Sequence, residues 1–93
     1  MTLREHPVLS RALDAAGRYR AGALTATELQ RTLSGVMSAV ESDVPKTVRD
    51  ALFEAEARVD SACFTTNTAD QPEAIAKILD DFEAVLDSTD RHG

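Results

Sequence analysis

Carboxylates are the side chains with the most chemical potential in this 93-residue chain, and two groups of them repeat at helical spacing. Asp50 and Glu54 stand at i and i+4, while Glu56 and Asp60 do the same on the opposite flank of that segment. Further on, Asp80, Glu83, Asp87 and Asp90 follow at i, i+3, i+7 and i+10, which places them on one ridge of a helix, opposite its apolar stripe. Acid–base catalysis by a carboxylate needs an apolar pocket to move its pKa towards neutrality. Neither group has one within its own segment. The chemistry that fits is recognition, an array of acceptors spaced like phosphates and aimed at a basic cleft, which speeds association and selects the partner.

Local cations balance these acids unevenly. Glu54 is spaced to pair with Arg58, Asp80 with Lys77, Asp87 with Arg91 and Asp14 with Arg18. Glu56 and Asp60 have no cation three or four residues away, so they repel each other unless something distant neutralises them. Glu83 and Asp87 form a like-charge i,i+4 pair that costs a few tenths of a kcal/mol in an isolated helix.

Other reactive residues are sparse. His6 and His92 lie near opposite ends, with no His or Cys at ligand spacing, so no metal site is expected. Cys63 is the single cysteine, which excludes an internal disulfide. It falls beside an apolar stripe without a neighbouring cation, where a thiol acts as a small hydrophobe. The chain has no glycine-rich phosphate loop, no serine nucleophile motif and no calcium-loop pattern. A non-enzymatic protein without cofactor is the expectation.

The elements that must carry these residues read as helices. The first starts near Pro7, carries Leu9, Leu13, Ala16 and Tyr19, and breaks at Gly22. Thr25 and Glu28 form a capping box that opens the second, which bears Leu29, Leu33, Val36, Met37 and Val40. Gly35 inside it marks either a close helix crossing or local flexibility. A turn from Ser42 to Pro45 leads to a third helix with Val48, Leu52, Ala55, Val59 and Ala62 buried, widened by Phe53, Cys63 and Phe64. After a polar loop at 65–69, Asp70 caps a fourth helix carrying Ile75, Ile78, Leu79, Phe82, Val85 and Leu86, followed by a frayed tail from Ser88. No segment alternates with period two. Four helices with short links predict an all-α fold, an antiparallel four-helix bundle, built as a single helical domain over 1–93.

Composition narrows the partner. Residues 1–40 hold five arginines against Glu5, Asp14 and Glu28, a balance of +2; residues 41–93 hold five cations against thirteen acids, a balance of −8; together they make the net −6. Direct nucleic-acid binding would need the opposite bias. A protein with a basic surface is the expected partner. No apolar run approaches the roughly 20 residues that span a bilayer, and Arg4, Glu5 and His6 interrupt any signal-peptide core. No membrane contact is expected, and the cytoplasm is the expected location.

Two segments carry a family resemblance. Residues 13–29, with Tyr19, Gly22 and the Leu24-Thr25-Ala26-Thr27-Glu28 helix start, resemble the opening of colicin-D-type immunity proteins. Residues 51–60, with Leu52-Phe53, small residues and acids, resemble that family's third helix, and the amphipathic 73–86 segment is similar to its closing one. The resemblance implies a helical bundle that covers the basic substrate site of a nuclease toxin, of tRNase type, with acidic residues. Mapped by position, it implies contacts from Glu54, Glu56 and Asp60, with Asp50 and the 65–71 loop at the edge. The chain departs from the pattern in having few aromatic residues around these acids. Phe53 and Phe64 are the candidate anchors, though both are expected to pack in the core.

These observations point to an acidic inhibitor of immunity type, with Asp50, Phe53, Glu54, Glu56, Asp60, Asp80, Glu83 and Asp87 as partner-binding residues. The alternative is a structural or regulatory helical module that pairs through apolar surface, as in a homodimer.

Overall fold

A computed structural model describes residues 3–40, 43–65 and 69–92. Ser42 of the expected turn, Thr66 to Thr68 of the polar loop, the His92 side chain and Gly93 lie outside the described residues. The chain is an all-α antiparallel four-helix bundle, with α1 at Pro7–Arg20, α2 at Ala26–Ala39, α3 at Lys46–Thr65 and α4 at Gln71–His92. A short 3₁₀ turn, Leu3–Glu5, precedes α1 and packs on α1 and α4. The body measures 38 × 22 × 21 Å. At 1.5 Å per residue α4 alone runs about 33 Å, so α3 and α4 set the long axis.

Local chemistry explains the boundaries. Pro7 opens α1, where its missing N–H is no loss. Gly22 ends it with φ +80°, and the Gly22 and Ala23 amides donate to the Tyr19 and Arg18 carbonyls at 3.0 and 2.8 Å. That pair of bonds is a Schellman cap, which needs a left-handed residue at the glycine position. The capping box at α2 is present in both directions. Glu28 N–H donates to Thr25 Oγ1 and Thr25 N–H to Glu28 Oε1, each at 3.1 Å. The Thr25 amide and hydroxyl together hold the Glu28 carboxyl below its ordinary value. At α3 the Pro45 carbonyl accepts from Val48 and Arg49, and at α4 the Asp70 carbonyl accepts from Ala74.

One apolar core joins all four helices. It holds Leu9, Ala12, Ala15 and Ala16 from α1, with Leu29, Leu33 and Val36 from α2. Val48, Leu52, Ala55, Val59 and Ala62 come from α3, and Ile75, Ile78, Leu79, Phe82 and Leu86 from α4, with Val44 from the preceding link. No polar or charged side chain is buried among the described residues.

Three expectations are corrected, and one of the two readings of Gly35 is excluded. Leu13, Met37, Val40 and Val85 are only half-buried, because each flanks rather than centres its stripe, and in α1 the small Ala12 and Ala15 take the central positions. Phe53 and Phe64 do not widen the core: they are 62% and 82% exposed, on the side of α3 opposite Val48, Leu52 and Val59. Gly35 does not mark a close crossing, since an added Cβ meets nothing within 4 Å. The chain beyond Ser88 is not a frayed tail but helix to His92. Asp90 holds that last turn in place by accepting from the Leu3 amide at 2.9 Å, and Thr89 donates to the Val85 carbonyl at 2.9 Å.

Candidate protein-binding face

The acidic residues singled out above divide into two environments. On α4 the ridge does not stand opposite the apolar stripe; it borders α1, and arginines from elsewhere in the chain neutralise it. Arg20 pairs with Asp80 at 2.6 Å and with Glu83 at 2.5 Å. Arg4 reaches Glu83 at 3.4 Å and grips Asp87 with two bonds, Nε to Oδ1 at 2.8 Å and Nη2 to Oδ2 at 3.1 Å. Glu83 is the innermost of these acids, its side chain only 21% exposed. The Arg4 hydrogen bond, reinforced by the charges of Arg4 and Arg91, holds the Asp87 carboxyl below its ordinary value. Lys77 makes no ion pair with Asp80, nor does Arg91 approach Asp87 within bonding distance. Long-range partners replace the local ones because antiparallel packing brings α1 and the 3₁₀ turn against α4.

On α3 the balance is opposite. Asp50, Glu54 and Asp60 are exposed and have no hydrogen-bond or ion-pair partner among the described residues. Arg58 turns from Glu54 to Asp81 of α4, at 3.0 Å. Glu56 points the other way, half-buried, and accepts from Gln30 of α2 at 2.7 Å. Helical geometry puts Asp50, Phe53, Glu54, Ala57, Asp60 and Phe64 within one face turned from the core. Its two rings stand eleven residues apart, about 16 Å along the helix axis.

Of the eight site residues read from the sequence, Asp50, Phe53, Glu54 and Asp60 therefore come together on α3. Glu56 is drawn into the α2–α3 seam, and Asp80, Glu83 and Asp87 into an internal clamp. Phe64 joins the outer face rather than the core, and its offset of five residues from Val59 and twelve from Leu52 already carries that signal.

His6 and Cys63 have structural surroundings. His6 caps α1, its Nδ1 accepting from the Val8 amide at 3.3 Å. Its ring proton therefore sits on Nε2, 2.9 Å from Asp43 Oδ2, and that bond ties α1 to the link before α3. The same bond holds the Asp43 carboxyl below its ordinary value. Cys63 is half-buried; burial, and then the charge of Asp60, push its thiol up, away from a reactive thiolate. No group of three or more His, Cys, Asp or Glu side chains is arranged to hold a metal ion among the described residues.

Three surface depressions are evident. An open groove of about 410 Å³ runs between α1 and α2, lined by Arg11, Asp14, Arg18, Leu24 and Thr32 among others. A cleft of about 140 Å³ between α3 and α4 contains the Arg58–Asp81 pair. Another of about 140 Å³ lies beside Phe53, against the end of α2. The Arg58 and Asp81 side chains stand part-exposed at the second cleft rather than enclosed in it.

No described helix is long and apolar enough to cross a membrane. Comparisons with family models, with curated proteins and with solved structures find no match for the chain, so the resemblance to colicin-D-type immunity proteins rests on its sequence motifs alone.

Proposed function

We propose that this chain is a non-enzymatic binding protein of immunity type, which acts in the cytoplasm by covering the basic active site of a nuclease toxin. The observation that carries the reading is the outer face of α3, where Asp50, Glu54 and Asp60 stand without a partner among the described residues, beside the exposed Phe53 and Phe64. Charges already satisfied within the molecule have little to gain from a partner, whereas free ones steer a basic surface in and fix its register. Exposed aromatic rings supply the apolar anchors that dominate binding energy at protein interfaces. The paired α4 ridge serves stability in this reading, and Asp80, Glu83 and Asp87 lie outside the contact.

The test is capture of a basic nuclease domain from lysate at low salt by wild-type protein, beside a Glu54→Lys/Asp60→Lys variant. The captured enzyme is then assayed for nuclease activity with and without added wild-type chain. Retention that falls with salt, is lost in the variant and suppresses the nuclease supports the reading. Equal retention by the variant, or undiminished nuclease activity, refutes it.

The two exposed rings also favour a second reading, self-association through α3 as a homodimer. That contact would be insensitive to salt and weakened by Phe53→Ser/Phe64→Ser, which sedimentation velocity over a concentration series distinguishes.

A further inference from the structure

Two arginines of the bundle are half-buried, Arg49 and Arg58, and they are treated differently. Arg58 has the carboxylate of Asp81 at 3.0 Å. Arg49 has no carboxylate within ion-pair distance among the described residues, and its Nε is buried without a hydrogen-bond partner. An amide-like N–H withdrawn from water and left unsatisfied costs about 1–3 kcal/mol, more when it belongs to a charged group. Such orphans are rare in folded proteins and call for an explanation.

Nε itself is closed to water-sized groups, so an acceptor for this guanidinium must come to its Nη groups, and Arg49 lines a cleft that can admit one. This is the cleft of about 140 Å³ whose other walls are Met37 and Val40 of α2, with Leu52 and Phe53 of α3. Those walls are apolar, so the cleft matches a short aliphatic stem ending in a single acceptor. Its volume is well below the roughly 300 Å³ at which small-molecule sites begin. With about 30 Å³ for each water-sized group, it holds roughly five heavy atoms, the size of one side chain. Phe53 belongs both to this cleft and to the outer face of α3, so one partner can cover both.

We propose that this cleft receives a glutamate side chain from the protein that docks on α3, its methylenes against Met37, Val40 and Leu52 and its carboxylate on the Arg49 guanidinium. The proposal rests on the reading of α3 as a protein-binding face. It adds that the partner carries one carboxylate beside its cations. A guanidinium takes a carboxylate through two parallel N–H···O bonds, a geometry that fixes orientation as well as charge. A partner presenting lysine or arginine at that point would meet a like charge next to apolar walls, so the cleft discriminates among basic partners that α3 alone would accept.

The test uses the isolated chain and therefore does not depend on finding the partner. The probe is N-acetyl-glutamate N-methylamide, titrated while the arginine Nε–Hε correlations are followed by ¹⁵N NMR, with the glutamine analogue as the uncharged control. The expected result is a saturable shift of the Arg49 Nε–Hε peak with the glutamate probe and none with the glutamine one. Arg49→Lys, which keeps the charge but not the planar fork, should abolish saturable shifts of the cleft residues' amides. Val40→Phe, which fills the cleft and leaves Arg49 intact, should abolish the Arg49 shift while the rest of the spectrum stays folded. A linear shift shared by all arginines, an equal response to the glutamine probe, or a response surviving Val40→Phe overturns the proposal. The α3 reading fails separately, through the charge-reversed capture experiment.

Discussion

The chain carries three phenylalanines, and replacing each by alanine should give three different outcomes from the same chemical change. Phe82 is 4% exposed in the core of α4, so Phe82→Ala removes a packed ring and leaves a cavity, at a cost of about 3–5 kcal/mol. Phe64 hides only about a fifth of its ring, and Phe53 about two fifths. Taking roughly 200 Å² per ring and about 25 cal/mol per Å², those fractions correspond to at most about 1 and about 2 kcal/mol. They are upper bounds, because the unfolded chain already shields part of each ring. For a domain of this size, 1 kcal/mol moves the melting temperature by about 4–8 °C. Phe82→Ala should therefore melt more than about 12 °C below wild type, Phe64→Ala within about 8 °C of it, and Phe53→Ala between them. Urea denaturation followed by far-UV circular dichroism reads the free energies directly, with an unchanged m-value showing that the two end states are comparable. Partner binding should rank the variants differently, with Phe53→Ala and Phe64→Ala both weakening it. If Phe64→Ala costs about 3 kcal/mol or more, the ring is packed and the outer face of α3 is not a surface at all.

Two glycines should respond with opposite signs. Gly35 is exposed within α2 with open space where a methyl group would stand, so Gly35→Ala should stabilise by roughly 0.5–1 kcal/mol. Gly22 has φ +80°, so Gly22→Ala should destabilise by roughly 1–2 kcal/mol despite equal space; equal effects in thermal melts would contradict the Schellman cap. The clamp on α4 should show in acid. Asp87 is held below its ordinary value of 3.8 by Arg4, so its contribution is complete above about pH 5 and is lost as pH falls through the depressed folded value. The stability gap between wild type and Arg4→Gln should accordingly be constant from neutrality to about pH 5 and close below it. A gap that persists unchanged at lower pH would mean that Arg4 acts through packing alone.

Much of the fold was legible because the relevant interactions are local. The Pro7 start, the Thr25–Glu28 box and the Gly22 stop depend on residues within one helical turn of each other, and the structure has all three. The α3 stripe of Val48, Leu52, Ala55, Val59 and Ala62 was likewise readable, since period and burial coincide on a helix with one covered face. The candidate site was half legible. Asp50 and Glu54 share a side by spacing, but Asp60, read with Glu56 on the opposite flank, joins them on the outer face, and whether a ring at the edge of a stripe is covered depends on how neighbouring helices cross, as Phe53 and Phe64 demonstrate.

Charge pairing was the least legible feature. Spacing offered Arg18 to Asp14, Arg58 to Glu54, Lys77 to Asp80 and Arg91 to Asp87; in the folded chain Arg18 does take Asp14, at 3.0 Å, whereas Arg58 takes Asp81, Arg20 takes Asp80 and Arg4 takes Asp87. An i,i+4 pair gains only about 0.3–0.5 kcal/mol on an exposed helix, too little to hold a long side chain against a better-placed acid on a packed neighbour. Short-range chemistry written along the chain dictated the helices, their caps and the apolar faces that bring them together. Which acids are consumed inside the molecule and which remain free was settled by helix packing alone, because that depends on contacts between residues up to 87 positions apart.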